Sequence, residues 1–211
     1  MEKEQITYTC ADCAAVACSH LTGKNPDFCV TTGMDPALRE ESIAEYEVGN
    51  NKKMMQTAAA CEAEFYCKLT RLEETMEFAK RMGFHKIGIA TCAGLLSETR
   101  TLTQILRKHG FEVYGVACKA GEYLKVDMGL PEEYTFCGQT ICNPILQAKV
   151  LNREQTDMNI IMGLCVGHDM LFTKYSEAPV TTLVAKDRVL AHNPVGAIYQ
   201  AKAYYRKKLA P

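Results

Sequence analysis

The chain has 211 residues, 47% of them hydrophobic, enough for one well-buried α/β domain with a small appendage. Its 24 Lys and Arg against 25 Asp and Glu leave a net charge of -1, so no global field recruits nucleic acid and no nucleic-acid partner is expected. The opening MEKEQITYTC has no apolar signal core and no run approaches ~18 consecutive apolar residues, so neither export nor a membrane partner is expected. Eleven cysteines in a cytoplasmic chain then point to metal or thiol chemistry rather than to a disulfide framework.

Acidic residues crowd the first 50 positions and basic ones follow Lys186, a pattern read as solvated faces or one contact between the ends. Residues 1–34 hold four cysteines, few large apolar side chains and the turn formers Gly23, Asn25, Pro26 and Gly33, so this segment cannot build a core alone. Asp35-Pro36 supplies an N-cap and an N1 proline, predicting a helix over 36–48 that Gly49, Asn50 and Asn51 interrupt. A longer helix is expected from Lys52 to Met82, stopped by Gly83. Alternating units follow: strand 85–91, helix 95–110, strand 111–117, and an irregular stretch 119–142. Then come helix 144–153, strand 158–164, a short helix at 168–175, strand 180–185 and a closing helix over 194–209. Strands separated by helices predict a small open parallel sheet flanked by helices, Rossmann-like in build. The division expected is a Cys-rich metal-binding segment (1–34), a helical segment packing on the core (35–83) and the Rossmann-like domain (84–211).

The first cysteine group, Cys10-x2-Cys13-x4-Cys18-x10-Cys29, lies in the segment least able to fold unaided. Four thiolates complete a tetrahedral zinc site, and metal binding there would supply folding free energy that burial cannot. The same four could hold an iron–sulfur cluster. A closed four-ligand site leaves no open position for substrate, so the expected role is structural. His20 is a spare donor that such a site does not need.

The second group is topological. Three predicted strands are each followed at once by a cysteine: Cys92, Cys118 and Cys165. In an open parallel sheet, ligands collect beyond the carboxyl ends of the strands. If the first strand lies between the second and third, the three sulfurs share one rim. Cys142, beside Asn143-Pro144 at a helix start, is the better further donor, and Cys137 the poorer one. Cys61 and Cys67 face about 120° apart on one continuous helix, so both cannot serve one site unless that helix breaks. Cys61, among alanines, reads as packing. His168, three residues after Cys165, is a ligand, a general acid or a helix-start residue.

The motifs C-A-D-C-x4-C, Y-C-K-L-T-R-L-E-E (66–74), K-I-G-I-A-T-C-A-G-L (86–95), C-N-P (142–144), G-L-C-V-G-H-D (163–169) and A-K-D-R-V-L-A-H-N-P (185–194) together resemble one family. It is the Cys-rich family known as domain of unknown function 1847, described as predicted metal-binding proteins. The resemblance spans nearly the whole chain. It implies that the family's cysteines correspond to Cys10, Cys13, Cys18, Cys29, Cys67, Cys92, Cys118, Cys142 and Cys165, with Cys61 and Cys137 as extras. It implies a metal and no particular reaction.

Three functions remain open on sequence. The first is a metal-binding protein with the structural four-cysteine site and a second site at the rim. That rim site would draw on Cys67, Cys92, Cys118, Cys142 and Cys165 to bind zinc, copper(I) or an iron–sulfur cluster, with redox or cluster-dependent chemistry on a small-molecule substrate. The second is a cysteine hydrolase in which G-L-C-V-G (163–167) is a nucleophile elbow around Cys165, with Asp187 and His192 as acid and base. The third is a non-catalytic scaffold that handles a metal ion. Asp187, Arg188, His192 and Asn193 follow the fourth strand and reach the same rim, either to orient a substrate or to make a local turn and cap.

Overall fold

A computed structural model describes residues 6–210. The chain divides into two compact units, Met1–Gln56 and Thr57–Pro211, and the helix read over 52–82 is shared between them. In the first unit, short helical turns α1 (Ala17–His20) and α2 (Val30–Gly33) precede α3 (Pro36–Ala44), which passes into a 3-10 turn at Glu45–Glu47. Asp35 caps α3 as its sequence predicts, accepting from the Ala37 amide at 2.9 Å. Among the described residues of this unit only Cys29 is buried. No apolar core holds it together.

Helix α4 (Asn51–Phe65) enters the second unit, and here the expected long helix is corrected. The chain leaves the helix at Tyr66, Cys67 takes a left-handed φ of 57°, and α5 (Arg71–Met82) starts afresh. The cause is a capping box. Thr70 accepts from the Glu73 amide, while the Glu73 carboxylate accepts from the Thr70 amide at 2.8 Å. Gly83 ends α5 in a left-handed conformation, as expected.

The rest alternates: β1 (Lys86–Thr91), α6 (Leu96–Lys108), β2 (Glu112–Ala117), α7 (Pro144–Arg153), β3 (Met158–Met162), α8 (His168–Tyr175) and β4 (Val180–Val184). The closing helix is a second correction. It is interrupted, with α9 at Val195–Tyr199, turns, then α10 at Arg206–Leu209. Ile198, Tyr199 and Tyr204 there are exposed, so no apolar stripe is buried to hold one continuous helix. No helix of the described residues is long and apolar enough to cross a membrane.

All four strands are parallel, in the order β2-β1-β3-β4, so β1 does lie between β2 and β3. Side chains alternate across β1. Ile87 and Ile89 join Met76 and Ala79 of α5 and Leu102 and Leu106 of α6 on one face. Ala90 joins Ala148 and Leu151 of α7 and Phe172 of α8 on the other. Each large aliphatic side chain buried this way contributes roughly 1.5–3 kcal/mol. Gly88 faces the second layer, where a Cβ would stand 1.9 Å from Oδ1 of the fully buried Asn159. The α/β expectation therefore holds, with helices on both faces of a small open sheet.

Candidate functional site at the strand ends

Register sets the rim. Thr91 of β1 pairs with Ala117 of β2 and Met162 of β3, so the three strands end level. The next residues on β1 and β2 are Cys92 and Cys118. The Cys92 amide donates to the Met162 carbonyl at 3.0 Å and the Cys118 amide to the Thr91 carbonyl at 2.8 Å, which extends the ladder through both. After β3 the chain turns through Gly163 (φ 65°) to reach Cys165.

Cys142 arrives from the irregular stretch. The Asn143 amide donates to the Cys118 carbonyl at 2.8 Å, and the Asn143 side chain caps α7 at the Leu146 amide. This places the Cys142 sulfur 3.6 Å from that of Cys118. Either sulfur can donate in that contact. Hydrogen bonding to Cys118, with Lys119 and His168 adding positive charge, lowers the Cys142 thiol to about 5. The same hydrogen bond, then burial, pushes the Cys118 thiol far above its ordinary range. The contact thus pushes the two thiols apart in acidity, Cys142 down and Cys118 up. That sulfur also accepts from the Ala93 amide at 3.3 Å.

Cys165 and Cys92 complete the group. Arg188 Nη2 donates to the Cys165 sulfur at 3.1 Å. That bond, followed by the charges of Cys165, Cys92 and Cys142, raises the guanidinium's already high pKa further. Cys92 likewise acts on Cys118. Four of the five rim candidates (Cys92, Cys118, Cys142 and Cys165) therefore gather at one edge, ringed by Lys119, His168 and Arg188. The fifth, Cys67, is exposed on the turn between α4 and α5 and makes no hydrogen bond to a rim sulfur among the described residues. Cys61 is buried in α4, where burial pushes its thiol up, in keeping with packing. Among the described residues, no three His, Cys, Asp or Glu side chains stand in a ready-made ligating group.

Gln147 is the residue that sequence reasoning missed. Fully buried on α7, its Nε2 donates to the Thr91 carbonyl at 3.1 Å and the Val116 carbonyl at 2.7 Å, clamping the ends of β1 and β2 beneath the rim. Its Oε1 is buried with no partner among the described residues. The available signal was its place on the buried face of α7 with Pro144, Ala148 and Leu151, where an amide is out of character.

The loop after β4 makes a local structure. Asp187 Oδ1 accepts from the Val189 and Leu190 amides, and His192 Nδ1 accepts from the Asp187 amide. Neither side chain is hydrogen-bonded to Cys165 among the described residues. Asn193 lies in the turn before α9, where its carbonyl accepts from the Gly196 amide.

At the N-terminus the Cys13 amide donates to the Cys10 carbonyl at 3.2 Å, and the Thr9 amide to the Phe28 carbonyl at 3.1 Å. The second contact brings the chain around Cys10 beside that around Cys29. The Tyr8 ring lies against Gly33, where no Cβ would fit. Burial raises the Cys29 thiol, but the amides and hydroxyls of Thr31 and Thr32 outweigh it and lower the thiol overall. Cys10 and Cys18 are exposed and Cys13 is half-buried.

An uncharacterized protein of Methanocaldococcus jannaschii is 49% identical over 179 residues, covering 82% of this chain and 88% of that protein. The family described as Protein of unknown function (DUF1847) matches residues 29–183. Of the N-terminal cysteines that range includes only Cys29, and it ends before 185–194, so it is narrower than the motifs alone imply. It contains all four rim cysteines, together with Cys67 and Gln147, and on both comparisons this chain belongs to the DUF1847 family.

Proposed function

We propose that the chain is a metal-binding protein whose working site is the thiolate rim. Cys118 and Cys142 form its inner pair, and Cys92 and Cys165 are the completing donors. The contact between Cys118 and Cys142 carries this reading. Two sulfurs each about 2.3 Å from one tetrahedral ion stand about 3.8 Å apart, and these two sulfurs are 3.6 Å apart. The donor set is soft and selects zinc, copper(I) or iron–sulfur over hard cations. So close a pair suits two ligands on one tetrahedral centre, a single zinc or one iron of a two-iron cluster. Arg188 and Lys119 offset the negative charge that several thiolates and one divalent ion would leave. Bound there, the ion would hold the thiolates ionised and act as a Lewis acid.

Cys10, Cys13, Cys18 and Cys29 form a separate structural site in this reading, supported by a unit that buries only one of its described residues. All eleven cysteines are free thiols, which suits a reducing compartment, and we place the protein in the cytoplasm. The reading assigns no reaction. A small-molecule substrate would meet the rim beside Arg188 and His168.

Anaerobic purification followed by elemental analysis, sulfide assay and a visible spectrum tests this. About two colourless zinc equivalents per chain are expected, falling to one in the Cys118→Ala/Cys142→Ala double variant. Iron with sulfide and a brown colour lost in the same variant would replace the ion by a cluster. Unchanged metal content in that variant would remove the rim site.

A further inference from the structure

The irregular stretch between β2 and α7 buries a lysine against an exposed thiol that is not one of the rim sulfurs. Lys125 is 8% exposed. Its amide donates to the Gln139 carbonyl at 2.9 Å, and an antiparallel bridge joins Leu124 to Thr140 beside it. Its Nζ donates to the Tyr134 carbonyl at 2.6 Å and to the Cys137 sulfur at 3.1 Å. Both acceptors belong to the 3-10 turn Glu132–Cys137.

A nearly buried ammonium is costly unless an anion faces it. Cys137 is the one ionisable group bonded to Lys125 among the described residues, and no carboxylate touches it. The alternative, a neutral thiol donating to the Tyr134 carbonyl, spans 3.7 Å to an oxygen the lysine already holds. Lys119, bonded to the Thr140 carbonyl, adds positive charge from a second side, and Lys125 first among these causes lowers the thiol. Cys137 itself is exposed. An ionised sulfur open to solvent is a nucleophile.

We propose that Cys137 is a lysine-paired surface thiolate at which this chain undergoes exchange with low-molecular-weight disulfides. The thiolate attacks one sulfur of the disulfide, the bond between that disulfide's two sulfurs breaks, and a mixed disulfide forms on Cys137. The second thiolate leaves and takes a proton from solvent. The attacked disulfide is the oxidant, reduced by two electrons as the new bond to Cys137 forms. The inference does not depend on the metal reading, because neither Lys125 nor Cys137 belongs to the rim set.

The full-length reduced protein, treated with limiting iodoacetamide and mapped by peptide mass, tests it, with exposed Cys67 as internal comparison. The rate at Cys137 is expected to rise clearly less between about pH 6.5 and 8 than the about 20-fold rise of an ordinary thiol. Lys119 and Lys125 are the charged groups that face this sulfur. Lys125→Met is expected to slow Cys137 about tenfold at pH 7 and to restore the ordinary pH profile. Should that variant misfold, the wild-type pH profile decides alone. Oxidised glutathione, as the disulfide probe, is expected to load Cys137 before Cys67. An ordinary pH profile at Cys137, no loss of rate in folded Lys125→Met, or fast alkylation without mixed-disulfide formation would each overturn the proposal.

Discussion

Gly88→Ala tests how the sheet carries the rim. Gly88 pairs with Asn159 across β1 and β3. A new methyl would stand 1.9 Å from Asn159 Oδ1 and 3.0 Å from Leu151 Cδ1. That amide cannot step aside freely, since Oδ1 accepts from Thr156 Oγ1 and Nδ2 donates to Ser176 Oγ, both at 2.8 Å. Displacing it forfeits two hydrogen bonds of about 1 kcal/mol each. Overpacking adds about 1–3 kcal/mol. The reduced unfolded-state entropy of alanine returns about 0.5–1 kcal/mol. The expected net loss is about 3 kcal/mol. With a urea dependence of about 2 kcal/mol/M, the unfolding midpoint followed by far-UV circular dichroism should fall by about 1.5 M. Asn159→Ala removes the clash, so the double variant should be more stable than additivity predicts by at least about 1.5 kcal/mol. A midpoint shift under about 0.3 M, or strict additivity, would refute the packing argument.

The Cys118–Cys142 pair gives metal-free protein a pH signature. Cys142 titrates near 5 when folded against 9.0 as a free thiol, so its contribution is present above about pH 9 and is lost as pH falls through about 5. Cys118 is raised, so its contribution is present below about 9 and is lost at higher pH. Relative to Cys142→Ala, chelated wild type should gain stability from about pH 5 to 9 and lose it above; a pH-independent difference between urea midpoints would contradict that split in acidity. Thr70→Ala should cost about 1 kcal/mol and Thr70→Ser little, read by thermal unfolding, because the hydroxyl caps α5. Limited proteolysis after chelation should cut first within residues 6–56 and leave a resistant fragment from about residue 57 onward; uniform degradation would count against a separately stabilised first unit.

Much of this was legible in the residues because its causes are local. Alternating Ile87 and Ile89, the Asp35-Pro36 and Asn143-Pro144 caps and the Gly83 stop each act within a few positions. The three cysteines after strands needed only the strand order to become one rim. The break at Cys67 was hidden because both flanks favour helix, and the signal against continuity, T-R-L-E at 70–73, sits inside an otherwise periodic run. The closing helix failed for want of a partner, which sequence periodicity does not report. The Gln147 clamp and the contact between the Cys118 and Cys142 sulfurs depend on distances set by α7 and the sheet together. No spacing along the chain encodes them.

The level strand ends have a thermodynamic consequence. The backbone ladder already joins Cys92 to Met162 and Cys118 to Thr91, so two proposed donors are held in place by bonds that need no ligand. On the proposed metal reading, loading the rim would draw on almost none of its intrinsic affinity to order the chain. At the coreless N-terminal unit the competent conformer must itself be populated, and apparent affinity falls by that fraction. If both proposed sites bind metal, the rim should fill first and the N-terminal cysteines last, so the two sites would report different levels of supply.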